Sequence, residues 1–257
     1  MKKLANILLL LLLGCADLKR DNSLDAKNPN AEADQIAVVE NFVITNTKGT
    51  SEPPYVGYSQ EALYELKGKY TDGMLMLEYH MTPADTSYQD SLALSENELR
   101  YNNEYRGSAL RGFPHAFFNG KQMGIQGSSS KDVAKNRYET ILDTMTIHKV
   151  KLFCEAEKKL NGNQLAINTK IARYGDQAVS GLLVEYVLYE NLGLNHYYTV
   201  RKILTSETVT NIDPGSIYTL PEKTVAIPAY YNAANLGVVV LVKDAVSKAV
   251  LQAALAR

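Results

Sequence analysis

The sequence predicts an α/β unit followed by an all-β sandwich. Between residues 36 and 146, segments with the two-residue period of strands alternate with segments that have a helical period. From Ile147 onward, short strand-like segments follow one another with turn residues between them, and no helical period of comparable length competes. With 46% hydrophobic residues, the chain has enough apolar side chains to form packed cores.

The first 14 residues have the pattern of a signal peptide. Lys2 and Lys3 precede an almost uninterrupted apolar run from Leu4 to Leu13, which is too short to span a bilayer. A Leu-Leu-Gly-Cys sequence closes this run at Cys15. The pattern resembles bacterial lipoprotein signals, which implies that the Cys15 thiol receives a diacylglycerol and that Cys15 becomes the acylated first residue of the mature chain.

Residues 15–35 are predicted to be a lipidated, flexible tether, because they are polar and almost free of large apolar side chains. Ala16, rather than an aspartate, follows Cys15. In Gram-negative sorting this would permit transfer to the outer membrane, although Asp17 leaves the destination open. We therefore expect a lipid-anchored protein of the cell envelope, located at the outer membrane.

The distribution of charge indicates which classes of partner the protein can bind. The net charge is −1, and acidic and basic residues are mixed along the chain, so no basic face is concentrated enough to neutralise a phosphate backbone. We predict no nucleic-acid partner. Contact with the membrane through the N-terminal lipid and a protein partner in the envelope are expected instead.

The first unit opens with a strand, a helix and a second strand. Ile36–Thr45 is rich in strand-forming residues, and Met74–Met81 has an apolar start that predicts burial on both faces. The helix between them is predicted to be capped by Ser59 and to end near Gly73. Its apolar face carries Ala62, Leu63, Leu66 and Tyr70. This order predicts a parallel strand pair with a right-handed crossover.

The rest of the first unit is predicted to be a short helix, a hairpin and a final helix. Ser95 and Glu98 have the spacing of a capping box. His115–Phe118 and Met123–Gln126 are predicted strands joined at Asn119-Gly120, the strongest short hairpin signal in the chain. The final helix is predicted to begin near Ser129 or Ser130. Its apolar face carries Ala134, Tyr138, Ile141, Leu142 and Met145.

The second unit, residues 147–257, reads as seven or eight strands. The predicted strands are Ile147–Glu157, Gln164–Arg173, Leu182–Tyr189, Tyr198–Leu204, Ser216–Leu220, Thr224–Ile227 and Val238–Lys243, with a last strand, favoured over a short helix, at Ala249–Ala254. Asn161-Gly162 predicts a hairpin between the first two. This number of strands predicts an immunoglobulin-like sandwich. Cys154 falls on an apolar strand face, which favours a small core residue over a reactive thiol.

The element order of residues 36–146, with a Gly-Phe-Pro step entering the third strand, resembles the thioredoxin fold. We therefore expect a thioredoxin-like α/β domain there, followed by the immunoglobulin-like sandwich. With the leader, the chain resembles the outer-membrane-protein-twenty-eight-related lipoproteins of Gram-negative bacteria. The segments that carry this resemblance are Leu77–His80, Gly112–Gly120, Tyr198–Arg201, Val239–Asp244 and Val250–Ala253.

The chain departs from the thioredoxin pattern at the chemically decisive place. Thioredoxin-like oxidoreductases carry Cys-x-x-Cys where the first strand meets the first helix. Here residues 46–58 contain no cysteine, and Cys154 lies in the other unit. We therefore predict a binding or assembly component without redox catalysis and without a cofactor. Whether any other enzymatic activity exists is left open.

Pro114 occupies the place where the thioredoxin fold has a cis-proline beside the active loop. One hypothesis is a retained peptide-binding groove formed by Tyr55, Tyr58, Phe113 and Pro114. The alternative is that the proline only shapes the edge of the sheet.

His80 ends a predicted central strand, and Glu78 lies on the same face two residues earlier. With His115 nearby and a partner such as Asp85, a cleft here could hold a metal ion or an acid–base pair. The alternative is that both groups are satisfied polar side chains at a strand end. The four histidines do not have the spacing of zinc ligands, so the sequence predicts no metal ligands.

Overall fold

The computed structural model describes residues 25–46, 54–84, 89–107, 112–193 and 196–257. The predicted signal peptide, the lipidation site Cys15 and Asp85 lie outside these ranges. In the part of the chain that is described, no helix is long and apolar enough to cross a membrane.

The described elements are fourteen strands, three α-helices and three short helical turns. The strands are β1 (Ala33–Asp34), β2 (Ala37–Val43), β3 (Met74–His80), β4 (His115–Phe118), β5 (Gly124–Gln126), β6 (Lys149–Val150), β7 (Leu152–Asn161), β8 (Gln164–Arg173), β9 (Val179–Glu190), β10 (Thr199–Ile212), β11 (Ile217–Thr219), β12 (Lys223–Ala226), β13 (Leu236–Asp244) and β14 (Val250–Leu255). The α-helices are α1 (Pro54–Tyr70), α2 (Ser95–Arg100) and α3 (Lys131–Met145). Two 3₁₀ turns (Thr71–Gly73 and Ala233–Asn235) and a π-helical turn (Tyr101–Tyr105) complete the set.

The predicted fold class, an α/β thioredoxin-like domain followed by an immunoglobulin-like sandwich, is wrong. The protein is mostly β, with 43% of the described residues in strands and 23% in helices. Strands from both predicted units join in one eight-stranded sheet of order β14-β13-β9-β10-β3-β2-β4-β5. The periodicity of a segment predicts its element type but not its pairing partner. The pairing of β3 with β10 was therefore not predicted.

The predicted strand-helix-strand unit is confirmed. β2 pairs with β3 in parallel from Ala37–Met74 to Val43–His80, and β4 pairs antiparallel with the other edge of β2. Helices α1 and α3 cover one face of these strands. Their shared core contains Ala37, Val39, Ala62, Leu63, Leu66, Met74, Met76, Ala116, Phe118, Ala134, Tyr138, Leu142 and Met145.

Two predicted helix caps differ from the structure. Helix α1 begins at Pro54, whose missing N–H makes proline favourable in a first turn, and Ser59 lies inside the helix with its hydroxyl 2.9 Å from that of Tyr138. Helix α2 has no side-chain cap, because its N-cap residue is Leu94 and Ser95 is its first helical residue. The Glu98 carboxylate accepts a hydrogen bond from the Thr82 N–H at 2.7 Å. The predicted cap of α3 is confirmed: the Ser130 hydroxyl accepts from the Val133 N–H.

The second half builds a sandwich from the outer part of the large sheet and a four-stranded sheet of β7, β8, β11 and β12. The predicted hairpin at Asn161-Gly162 joins β7 and β8, and the last predicted strand is confirmed as β14. β13 pairs on both sides, with β9 and β14, as its apolar sequence predicts. Cys154 is buried in the core between the sheets, as predicted. The described part of the predicted tether, residues 25–35, lies against this half, with Ala31 buried near Tyr174.

The seam between the two halves of the large sheet lies between β3 and β10. These strands are parallel and pair at one position, Thr199 opposite Glu78. One further hydrogen bond, from the Glu78 N–H to the Tyr198 carbonyl at 2.9 Å, crosses the seam beside this pair.

The face of the large sheet opposite α1 carries a buried ionic cluster of Glu40, Arg100, Glu104, Glu185 and Lys243. The Arg100 guanidinium lies 2.7 Å from Glu40 on β2 and 2.8 Å from Glu185 on β9. Lys243 on β13 lies 3.2 Å from Glu185 and 2.7 Å from Glu104 in the π-helical turn. Charged side chains are rarely buried without partners, and here each positive group contacts two carboxylates. The cluster therefore ties strands of both halves together.

Candidate functional site

Glu78 and His80 form the centre of the candidate site. They follow Met74 and Met76 along the face of β3 that α1 covers, because side chains two residues apart share a strand face. Both side chains are completely buried, and Glu78 Oε1 lies 2.9 Å from His80 Nε2. The sequence-based prediction that they share a face is confirmed.

His196 is the third member of the cluster. It lies between β9 and β10, and its Nδ1 is 3.7 Å from Glu78 Oε1. The rings of His80 and His196 are 5.4 Å apart at an angle of 57°. Hydrogen bonds from the Leu192 N–H at 3.0 Å and the Thr199 hydroxyl at 3.2 Å to the His196 carbonyl fix the backbone. The Nδ1 atom is buried and has no hydrogen-bond partner among the described residues, which makes it an available ligand atom.

The second ring nitrogen of His80 is held by a carboxylate. Nδ1 lies 2.8 Å from Asp90 Oδ2. That oxygen also accepts hydrogen bonds from the N–H and the hydroxyl of Thr45, at 2.8 and 2.9 Å. The Asn97 side-chain amide donates to the His80 carbonyl at 3.0 Å. The His80 ring is therefore fixed from the side opposite Glu78.

The second oxygen of Glu78 is held by α1. Glu78 Oε2 accepts a hydrogen bond from the Gln60 amide at 3.0 Å and one from the Tyr64 hydroxyl at 3.3 Å. Gln60 and Tyr64 are four residues apart, so both point from the same face of the helix. The Tyr64 hydroxyl also accepts from the Tyr197 N–H at 3.3 Å, which connects Glu78 to the residue after His196.

The cluster favours ionised groups. Burial alone would lower the pKa of His80, but the Asp90 and Glu78 carboxylates outweigh it and raise this pKa to about 9. Burial acts to raise the pKa of Glu78, yet the two histidines and Gln60 bring it below its ordinary value. Burial and the nearby Glu78 charge raise the pKa of the Tyr64 hydroxyl, so Tyr64 stays a neutral donor.

Two imidazole nitrogens and a carboxylate oxygen form a common ligand set for zinc and related divalent metals. The potential ligand atoms of Glu78, His80 and His196 all lie within 4.8 Å of one another, and among the described residues no other group of this kind is found. Asp90 occupies the place of the outer carboxylate that orients a metal-bound histidine. The arrangement is therefore suited to holding a divalent ion.

The other predicted site residues lie apart from this cluster. His115 lies on the opposite face of the sheet, where its ring packs 4.1 Å from that of Phe117 and its Nδ1 is 3.0 Å from the Tyr101 hydroxyl. The partner suggested for His80, Asp85, lies outside the described residues, and Asp90 fills that role.

The predicted peptide groove is divided between the two faces of the sheet. The Phe113–Pro114 peptide bond is cis, and the Phe113 ring packs 5.2 Å from that of Tyr101 on the face opposite α1. Tyr55 and Tyr58 belong to the first turns of α1, where Tyr55 is exposed and Tyr58 half-buried. A groove shared by all four residues would have to pass round the end of the sheet, and it stays a prediction.

A cavity of about 810 Å³ lies elsewhere, with Cys154 and Gln252 in its wall, and it shares no residue with the cluster. Burial raises the pKa of the Cys154 thiol to about 12, so this thiol stays protonated and unreactive at neutral pH.

Sequence reasoning missed His196, Asp90, Gln60 and Tyr64. Gln60 and Tyr64 carry a weak signal, because they are polar groups four apart on a helix whose neighbours are buried. His196 and Asp90 carry none, since only the pairing of β3 with β10 and the loop before α2 bring them to His80.

By fold and site, the chain is a strand-rich protein with a buried cluster of two histidines and one glutamate. No protein-family model and no curated protein matches it. Among solved structures it is similar to HBP35 of Porphyromonas gingivalis, with a TM-score of 0.60 and 16% identity over 86% of this chain and 74% of that one. At this identity the similarity concerns the fold alone.

Two further solved structures match short parts of the chain. The E. coli curli protein CsgC has a TM-score of 0.24 and 11% identity over 40% of this chain and 94% of its own. The β-glucuronidase of Parabacteroides merdae has a TM-score of 0.25 and 17% identity over 37% of this chain and 12% of its own.

Proposed function

We propose that this chain is a lipid-anchored metal-binding protein of the bacterial cell envelope. It binds one divalent transition-metal ion, with Zn²⁺ as the probe of choice, through Glu78 Oε1, His80 Nε2 and His196 Nδ1. Because His80 is protonated at neutral pH, the ion displaces the Nε2 proton into solvent when it binds. The observation that carries the proposal is the buried Nδ1 of His196. It has no hydrogen-bond partner in the described part of the chain and lies 3.7 Å from a carboxylate oxygen that already contacts His80.

The distances suit a tetrahedral ion. Zinc–nitrogen and zinc–oxygen bonds of about 2.0–2.1 Å place neighbouring ligand atoms about 3.3 Å apart. The spacings of 2.9 Å between Glu78 and His80 and 3.7 Å between Glu78 and His196 lie on either side of that value. The ligand nitrogens of His80 and His196 lie within 4.8 Å of each other, so they would have to approach by up to about 1.5 Å to complete the site, leaving one position for water or a small ligand.

The surrounding charges also suit a cation. The carboxylates of Glu78 and Asp90 lie on the two sides of the His80 ring. Hydrogen bonds from Gln60 and Tyr64 hold the second oxygen of Glu78, and Thr45 donates to the Asp90 oxygen that contacts His80. Such support around the ligands strengthens metal binding, because less movement is needed when the ion arrives.

Binding is favoured over catalysis as the role of the ion. Glu78 and His80 are completely buried behind α1, and only the His196 side chain is partly exposed. An ion there is better placed to hold protein segments than to receive a substrate. The proposal therefore takes up the alternative of a metal ion held near His80, in place of the expectation of a binding or assembly component without a cofactor. The lipid anchor at Cys15 is inferred from the leader sequence alone, and loss of palmitate-analogue labelling in Cys15→Ser tests it.

Metal titration of the purified mature lipoprotein in detergent tests the proposal. After treatment with a chelator and its removal, we expect calorimetry and elemental analysis to give one Zn²⁺ per chain. His196→Ala should abolish this binding, while His148→Ala, which alters an exposed histidine outside the cluster, should keep it. Circular dichroism checks that each variant is folded. Absence of stoichiometric binding, or equal binding by folded His196→Ala protein, would overturn the proposal.

A further inference from the structure

The metal ligands come from both sides of the seam between β3 and β10. Glu78 and His80 belong to β3, while His196 lies three residues before Thr199, the first residue of β10. Thr199 is also the residue that pairs with Glu78. The three ligands therefore surround the one place where the two strands pair.

The seam has little other backbone pairing to hold it. β3 pairs with β2 along its whole length, and β10 pairs with β9 over most of its own. Between β3 and β10 there is the single pair at Thr199 and the hydrogen bond from the Glu78 N–H to the Tyr198 carbonyl. Backbone hydrogen bonds at the end of a short pairing open more readily than those inside a long ladder.

Side chains add two links on the same face. The Tyr64 hydroxyl bridges Glu78 Oε2 and the Tyr197 N–H, and the rings of Tyr64 and Tyr197 pack edge to face at 4.9 Å. On the opposite face, the ionic cluster joins β2, β9 and β13 whether or not a metal is bound. Loss of the ion would therefore free the His196 end of the seam without separating the halves.

We infer, on the basis of the proposed function, that the bound ion holds the seam closed. Coordination of His196 to the same ion as Glu78 and His80 keeps the start of β10 against β3. The ion then regulates whether this end of the large sheet is closed or open. Because coupling between a ligand and a conformational change is reciprocal, a change that loosens the seam must also weaken metal binding.

Hydrogen–deuterium exchange on the mature lipoprotein, with Zn²⁺ or with chelator, tests this inference. With Zn²⁺ we expect amides in peptides covering residues 76–81 and 196–200 to exchange on the order of tenfold more slowly. Peptides from the hairpin of β7 and β8, which lies in the other sheet, should not change. His148→Ala should behave like the unaltered protein.

Tyr64→Phe provides the second test, because it removes the hydroxyl that links Glu78 to Tyr197 but keeps the ring. We expect this variant to bind Zn²⁺ several-fold more weakly and to show less protection at residues 196–200. If no Zn²⁺ binds to the unaltered protein, the proposed function itself fails. If Zn²⁺ binds in a one-to-one ratio but protection at residues 196–200 does not change, the proposed function stands and the inference that the ion holds the seam closed is overturned.

Discussion

His115 offers a test of how burial acts on a titratable group outside the candidate site. Its ring lies between Phe117, 4.1 Å away, and Tyr101, whose hydroxyl is 3.0 Å from Nδ1. Burial lowers the pKa of His115 to about 4. Nδ1 of the neutral ring and the Tyr101 hydroxyl share a hydrogen bond whose donor depends on the ring tautomer, and the pKa shift comes from burial.

The size and sign of the effect follow from the two pKa values of His115. In the unfolded chain this residue binds a proton near pH 6.5, whereas the folded protein resists protonation until about pH 4. The unfolded state therefore gains protons first, and the free energy of unfolding falls as the pH drops through this window. At about 1.4 kcal/mol per unit, the loss reaches about 2 kcal/mol at pH ~5.

Urea unfolding of the unaltered protein and of His115→Asn, each at pH ~7.5 and ~5, measures this effect. Asparagine can still accept the Tyr101 hydrogen bond but does not titrate. The unaltered protein should lose about 2 kcal/mol more than the variant between the two pH values. His80 titrates with the opposite sign but is present in both proteins, so it cancels in the difference. Equal pH dependence in the two proteins would refute the assignment of a buried, neutral His115.

Two further predictions concern stability at neutral pH. Arg100→Met leaves two buried glutamates of the ionic cluster without their shared cation, so urea unfolding should show that the free energy of unfolding falls by about 3–5 kcal/mol. As a control, Lys135→Met removes an exposed ion pair and should lower it by less than about 1 kcal/mol. Similar losses in both variants would contradict this account of the cluster. Gly237→Ala places a Cβ 2.2 Å from the Tyr189 ring and should lower the free energy of unfolding by about 1–3 kcal/mol. Gly68→Ala, in helix α1, adds a Cβ that meets no described atom within 4 Å and should raise the free energy of unfolding by about 0.5–1 kcal/mol. Thermal unfolding checks both, and a Gly237→Ala protein as stable as the unaltered one would show that Tyr189 moves aside freely.

Local patterns predicted the elements of this fold better than their assembly. The apolar spacing of Leu63 and Leu66, the Asn119-Gly120 turn and the continuous apolar run of β13 each depend on neighbouring residues, and the structure confirms them. The pairing of β3 with β10 depends on chain segments far apart in sequence, which no local period records. The strands were therefore largely placed correctly, while the fold class was wrong.

In the candidate site, too, local relations between residues were predicted and long-range ones were not. The shared face of Glu78 and His80 follows from the two-residue period of a strand. His196 joins them through the seam, and Asp90 joins through a loop, so neither has a spacing that sequence inspection could detect. The capping box at Ser95 and Glu98 is wrong for a different reason, because the helix begins at Ser95 and Leu94 takes the N-cap position.

The buried ionic cluster has a consequence for the response of the protein to heat. Charged groups hold hydration water at a large entropic cost, so removing that water becomes less unfavourable as the temperature rises, while the gain from apolar burial levels off. Arg100, through Glu185, and Lys243, through Glu104, connect the two halves by such charges as well as by apolar contacts. The charged contacts between the halves should therefore weaken less on warming than the apolar packing inside the sandwich.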